Sequence, residues 1–399
     1  MTCFFKLILR ISLVFVILQL TIAHASKKDL DFSKELNKLV DIYPVLSLGD
    51  YNDKVKEIKH NERDRNDINE NLGTDKKKSG LLFSISKKTK KYYSLIRMKF
   101  AIKKFSKKIG VDYSDLDEEE RNQAEKNLLI MLVIQGILDV PMRVTAGMED
   151  LSILYPYIDN FYDDPNIPWK QKIKLFFFVK NLLSKGRVKE SHHRKIMEVK
   201  PVKKIVRKIK DIIVNYPHKK NSNLYFHLKN LNLIQILGQY LQYNPLQKKI
   251  SFPRKKTLFK MLSLKTCITF IAEGHFFLKE LTQEQEKYLC QLGLFVQFTD
   301  DLEDLGEDYT NRTPTFLLAK YINDYERNFT RFTNLKDLFF QDKRAIRSID
   351  NTVESMALLM NDYFNRNEYV AESMRGKSMQ SLIQTLIMNS LNDIKEESR

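Results

Sequence analysis

The chain has 399 residues, enough for one large domain or two small ones with a sizeable core. Its three cysteines, Cys3, Cys267 and Cys290, exclude a disulfide framework and a cysteine-based zinc site, and two reduced core thiols are the expectation for the folded part. A formal net charge of +17, from 67 Lys and Arg against 50 Asp and Glu, attracts polyanions: nucleic acid, anionic lipid headgroups or phosphorylated small molecules.

The amino terminus carries Lys6 and Arg10, then a largely apolar run from Ile11 to Ala23, then Ala23-His24-Ala25. This pattern is a secretory signal cleaved near Ala25, or an uncleaved membrane anchor, and residues 1–26 are assigned to it. The run is short for a span unless Leu7 to Leu9 lengthen it around Arg10. Residues 27–80 are polar and charged and predict a flexible linker with a short helix. Only 12 glycines and 10 prolines punctuate the chain, and helix-period patterns recur to its end, so the class is all-α, with a domain over 81–399.

From Leu81 to Lys108 a basic amphipathic helix is expected, either peripheral with a solvated basic face or lying on a membrane surface. Ser114-Asp115-Leu116-Asp117 supplies a capping signal for a core helix over the apolar run Asn127 to Leu138. In Tyr157-Ile158-Asp159-Asn160-Phe161-Tyr162-Asp163-Asp164-Pro165, Asp159 and Asp163 share one helical face and Pro165 limits the helix. Carboxylates at that end of a helix meet its negative dipole pole, so the cluster is either a poor terminus or a cation site. The lysine-rich stretch with Lys203, Lys204, Arg207 and Lys208 has no nucleic-acid-binding motif, and no nucleic-acid partner is expected. Lys265-Thr266 lies within an apolar helix, where a lysine either snorkels or meets an anion.

Phe295 to Asp308, FVQFTDDLEDLGED, is a second acidic helix end after an apolar run. Asp300, Asp304 and Asp308 stack at i, i+4 and i+8, and like charges in that row call for a cation. A carboxylate trio suits hard, oxygen-loving Mg²⁺. Two acidic helix ends facing each other are a way for an all-α cavity to hold several divalent ions. Two further helices, 343–364 and 373–394, are expected to pack in the core.

FVQFTDDLEDLGED with the upstream Lys265-Thr266 resembles the second aspartate-rich motif and the Lys-Thr element of trans-prenyl diphosphate synthases, in the class I isoprenoid synthase superfamily. YIDNFYDDP is similar to the first motif of bacterial large-terpene synthases, and the likeness covers roughly residues 127 to 320. The first motif is not D-D-x-x-D and no paired arginine follows it, departures that suit a terpene synthase binding one diphosphate better than a chain-elongating enzyme binding two.

The resemblance implies a single large helical bundle of the class I terpenoid synthase type, ionising a prenyl diphosphate in isoprenoid biosynthesis. Asp159, with Asp163 and Asp164, would hold Mg²⁺ from one helix, and Asp300, Asp304 and Asp308, with Asp301 as a fourth, from the facing one; three ions with bound diphosphate are expected. Lys265 would share the catalytic work with Asp159, Asp300 and Asp304. Arg254, Lys265 and Arg312 would contact the diphosphate, Arg254 by a spacing before Asp300 similar to that of the diphosphate-sensing arginine of terpene synthases. Tyr155, Phe161, Phe270, Phe276 and Phe298 would either line the cavity or pack the core. A phosphorylated cytosolic substrate favours a domain on the cytoplasmic side, held at the membrane through residues 7–23 and helix 81–108; secretion after cleavage is the alternative. A homodimer is compatible with the resemblance, and a catalytically silent, membrane-attached basic protein is the reading from another class.

Overall fold

The structure, a computed structural model, describes residues 32–57 (less 46 and 55), 81–187 (less 139), 194–217, 220–244, 249–250, 255–305, 308–309, 313 and 315–321. The hydrophobic leader, most of the linker, Arg254, Arg312 and the two carboxy-terminal helices expected from the sequence lie outside the described residues. The chain divides into two compact units, Met1–Tyr43 and Pro44–Arg399. The first contributes one described helix, α1 (Phe32–Ile42).

The second unit is helical among the described residues, apart from a two-residue antiparallel pairing of Tyr243–Asn244 with Lys249–Ile250. The all-α expectation holds. Besides a single turn at Arg194–Met197, its helices include α2 (Leu81–Asp112), α3 (Glu118–Ile137), α4 (Ala146–Asp163), α5 (Trp169–Lys185), α6 (Lys200–Asn215), α7 (Ser222–Gln242), α8 (Lys255–Gly274), α9 (Gln283–Glu303) and the short α10 (Phe316–Tyr321). No helix among the described residues is long and apolar enough to cross a membrane. The basic helix expected over 81–108 runs as one element to Asp112, with Phe105 and Ile109 buried and Phe100 exposed. The folded part begins earlier than the linker pattern predicted: Tyr51 is buried with its ring 5.5 Å from that of Phe259 on α8. One aromatic residue in a polar stretch leaves no periodic trace, yet suffices to dock it.

Local chemistry sets the helix ends that matter for the site. α3 starts on a capping box in which Glu120 N donates to Asp117 Oδ1 at 2.8 Å and Asp117 N donates to Glu120 Oε2 at 3.1 Å. It buries Leu128, Met131, Leu132 and Ile134, as the apolar run required. α4 starts on Thr145, whose Oγ1 accepts from Met148 N and lies 2.8 Å from the Tyr216 hydroxyl. Tyr216 sits so close to α4 that a Cβ on Gly147 would fall 2.0 Å from its ring, so only glycine admits that approach. At its other end α4 stops where Pro165 forbids another turn, leaving Asp159 and Asp163 on the last turns.

α8 and α9 form the tightest seam. A Cβ on Gly293 would lie 2.8 Å from the carbonyl oxygen of Thr266, and one turn away the Cα atoms of Cys267 and Cys290 are 3.8 Å apart. The two cysteines, expected as separate thiols, are joined as a disulfide across this seam. Their sequence spacing carries no hint of it, because the crossing point of two helices set by Gly293 brings them together. Between α4 and α6 a buried polar group replaces apolar packing: Lys208 Nζ donates to Asp150 Oδ1 at 2.8 Å and to the Tyr113 hydroxyl, and Asn215 Nδ2 donates to Asp150 Oδ2 at 3.1 Å.

Candidate active site

Three helices bring charge to one place: α4 and α9 with their acidic carboxy-terminal ends, and α8 with Lys265 at its middle. Lys265 Nζ lies 3.6 Å from Asp159 Oδ1, and the lysine is only partly exposed. Burial alone would lower its pKa, but the combined field of Asp159, Tyr155, Asp163 and Asp300 outweighs burial and raises it, so the ammonium is held charged among carboxylates from both helices. Thr266, its neighbour, donates to carbonyls of its own helix and faces the seam with α9, so Lys265 alone of the pair reaches the site.

On α4, Asp159 Oδ1 accepts a hydrogen bond from Gln235 Nε2 at 3.0 Å, and Asp163 Oδ1 accepts one from Gln239 Nε2. The two glutamines are four apart on α7 and match the four-residue spacing of the aspartates, so each carboxylate is positioned by its own amide. Behind them Lys172 is buried, its Nζ donating to the carbonyl oxygen of Tyr162 and lying 3.5 Å from Gln239 Oε1. Asp163 is open on its outer side, yet desolvation on its inner side and the adjacent Asp159 carboxylate push it up to about 7. Asp164 is used locally instead: its Oδ1 accepts from Asn166 N at 2.8 Å and closes the turn after α4.

At the end of α9 and just beyond it, Asp304 N donates to Asp300 O at 2.9 Å and Asp308 N to Asp304 O at 2.8 Å, which sets the three residues turn after turn as the sequence predicted. Asp300 Oδ1 lies 3.8 Å from Lys126 Nζ of α3, and its Oδ2 accepts from Gln297 Nε2 at 3.3 Å. Gln297 also donates to Asp301 Oδ1, at 2.9 Å. Asp301 is the buried member of the group, 8% exposed, and its Oδ2 has no partner. Desolvation pushes its acid up to about 7, against the Gln297 hydrogen bond and with help from Asp300.

Asp159, Asp163, Asp300 and Asp301 lie within the field of Lys265, but the acids do not meet. Among the described residues no three of the aspartates bring oxygens within 4.8 Å of one another. Each helix end already carries the negative dipole pole, so two such ends loaded with carboxylates attract positive charge beyond that of Lys265, Lys126 and Lys172. An all-oxygen donor set with a buried carboxylate oxygen lacking a partner fits a hard divalent cation such as Mg²⁺.

Tyr155 marks where this polar group gives way to apolar surface. Desolvation raises its phenol well above the ordinary range; Lys265 opposes this, while Asp159, Asp300 and Glu273 reinforce it. The same residue lines, with Leu151, Ile158, Val179, Leu228 and Gln235, a narrow apolar cavity of about 40 Å³ between α4, α5, α6 and α7. Phe161, Phe270, Phe276 and Phe298 are core residues, each no more than 4% exposed. Glu273, two turns beyond Lys265 on α8, is also buried, its Oε2 has no partner, and burial pushes it up to about 8.

Sequence reading missed Gln235, Gln239, Lys126 and Lys172. The glutamines left a signal, two amides four apart in the otherwise apolar NLIQILGQY, whereas the lysines are indistinguishable from the many solvated ones. No family model matches the chain, and no curated protein matches it.

Proposed function

We infer that the chain is a Mg²⁺-dependent class I isoprenoid synthase that ionises a prenyl diphosphate, with terpene synthesis favoured over chain elongation. What supports the reading is one observation: the acidic ends of α4 and α9 lie on either side of Lys265, with an apolar cavity beginning at Tyr155. When the C–O bond of a prenyl diphosphate breaks, the electron pair and a growing negative charge go to the leaving diphosphate. The Lys265 ammonium stabilises that charge, and Gln235 and Gln239 hold Asp159 and Asp163 in place before the reaction begins. Mg²⁺ held by Asp159 and Asp163 on one side, and by Asp300, Asp301, Asp304 and Asp308 on the other, supplies the remaining positive charge when bound. Arg254 and Arg312 are the further diphosphate contacts that the motif suggests. The allylic chain enters the cavity beyond Tyr155, whose ring and the surrounding Leu and Ile side chains exclude water from the carbocation. At about 40 Å³ that cavity has room for only a few water-sized groups, so accepting a prenyl chain requires the packing between α4, α5, α6 and α7 to open.

The test is turnover by the full chain, purified in detergent, with Mg²⁺ and geranyl, farnesyl or geranylgeranyl diphosphate, each with and without isopentenyl diphosphate. Diphosphate release without isopentenyl diphosphate is the expected result. Dependence on it transfers the assignment to chain elongation. Absence of turnover with every substrate overturns the enzyme reading in favour of a binding module.

A further inference from the structure

A second group of potential ligands lies at the other end of the bundle. His227 of α7, His275 just beyond the end of α8 and Glu286 in the first turn of α9 each offer one atom, and the three atoms lie within 4.8 Å of one another. Along α9, the 14 residues from Glu286 to Asp300 span about 21 Å at 1.5 Å per residue. The group is therefore separate from the aspartates around Lys265.

Both imidazoles are buried, His227 at 7% and His275 at 5% exposure, and their rings stack at 5.1 Å between centroids with planes 16° apart. His275 Nε2 is shielded from solvent and has no hydrogen-bond partner. Leaving such a nitrogen unpaired costs about 1–3 kcal/mol, so a residue kept only for packing is better replaced by an apolar one. The backbone of Lys279 and Leu278 lies beside the same ring.

The three residues are held by rigid local structure. Thr282 and Gln285 cap α9 reciprocally, with Thr282 N donating to Gln285 Oε1 at 2.9 Å and Gln285 N to Thr282 Oγ1 at 3.2 Å, and Glu286 N donates to Thr282 O at 2.9 Å. At Gly274, directly before His275, an added Cβ would lie 3.1 Å from both Leu281 and Leu289, so the turn is pinned against α9.

We propose that His227, His275 and Glu286 form a binding site for a Zn²⁺-class transition metal, with the half-buried Glu286 side leaving a fourth position open to water. Two imidazole nitrogens and one carboxylate oxygen are the borderline donors that Zn²⁺ takes. Zn–N and Zn–O distances near 2.1 Å put tetrahedral ligand atoms roughly 3.4 Å apart. Atoms now within 4.8 Å close to that separation by small side-chain rotations. The metal would join the start of α7, the end of α8 and the start of α9 at one point.

The experiment is Zn²⁺ titration of the chelator-stripped full chain in detergent, followed by calorimetry and by metal content after desalting. It is run in an Asp300→Asn, Asp304→Asn background to weaken the aspartate cluster, and the Glu286→Gln comparison in that background assigns the metal that remains bound. One Zn²⁺ per chain is expected, with a rise in melting temperature, and Co²⁺ in its place should give the visible absorption of a tetrahedral centre. His275→Gln and Glu286→Gln should each weaken Zn²⁺ at least about tenfold. Glu286 is half-buried, so its variant serves even where His275→Gln fails to fold. No stoichiometric Zn²⁺, or equal binding by Glu286→Gln, overturns the proposal, and neither readout depends on turnover of any prenyl diphosphate.

Discussion

Asp301→Asn separates a metal-holding carboxylate from a merely buried one. Raising the Asp301 carboxyl from its ordinary 3.8 to about 7 means that ionising it in the fold costs about 4 kcal/mol more than in water. That figure is an upper bound, because the interior relaxes and polarises around the charge, and about 1–2 kcal/mol should be measurable. The sign follows from the elevated pKa. Between about pH 4 and 7 the folded chain keeps a proton that the unfolded chain has lost, so the penalty grows as pH rises through that window and is complete above it. Without metal, Asp301→Asn should therefore be more stable than wild type by about 1–2 kcal/mol at pH 8, and equal to it within about 0.5 kcal/mol at pH 4. Mg²⁺ with inorganic diphosphate should reverse this at pH 8: at 100 times the dissociation constant it stabilises the wild type by about 2.7 kcal/mol and the variant far less. Urea denaturation of the full chain at both pH values, followed by helical circular dichroism, measures all four states. A variant advantage that is the same at pH 4 and pH 8, or equal stabilisation of both proteins by Mg²⁺ and diphosphate, refutes the reasoning.

Asp300→Ala with Asp304→Ala should abolish diphosphate release while leaving the helical circular dichroism unchanged, since Asp304 is exposed and Asp300 is partly exposed; retained turnover would place the metals elsewhere. Lys265→Met keeps the length of the stem but removes the ammonium, and should lower kcat on the order of 10²–10³-fold, the range for losing one group that stabilises a leaving charge. A kcat within a factor of three of wild type would remove Lys265 from the reaction. Gly293→Ala forces a methyl against the Thr266 carbonyl and should cost about 1–3 kcal/mol in urea denaturation. Asp150→Ala leaves the buried Lys208 with only the partly exposed Asp211 carboxylate at 3.2 Å and the Tyr113 hydroxyl, and should cost about 1–3 kcal/mol by the same measurement. An unchanged midpoint in either case would contradict the packing described.

What the sequence revealed and what it hid divides by the range of the interaction. The helical class, the cap at Asp117, the stop at Pro165 and the turn-on-turn stacking of Asp300, Asp304 and Asp308 are set by residues within one or two turns, and a local reading reaches them. The pairing of Lys265 with Asp159 depends on the relative register of α4 and α8, which no spacing encodes; only the oddity of a lysine in an apolar helix hinted at it. Asp164 looked the same as Asp163 in the sequence, but Asp163 continues the helical face toward Gln239 whereas Asp164 falls where the helix ends and closes a turn. His227, His275 and Glu286 give no signal in the sequence because they come from two helices and the turn after a third and share no motif.

The close approach at Gly293 has a mechanical consequence for the aspartate cluster. With no side chain between α8 and α9 at that crossing, neither helix has room to slide past the other, so Lys265 on one and Asp300 and Asp301 on the other move as parts of one lever. α4 reaches that pair through side chains, the long 3.6 Å ion pair of Lys265 with Asp159 among them. Because α7 packs along α8, Gln235 and Gln239 belong to the same rigid group, so any displacement of α4 would break the amide hydrogen bonds that hold Asp159 and Asp163 while leaving Lys265, Asp300 and Asp301 in register with one another.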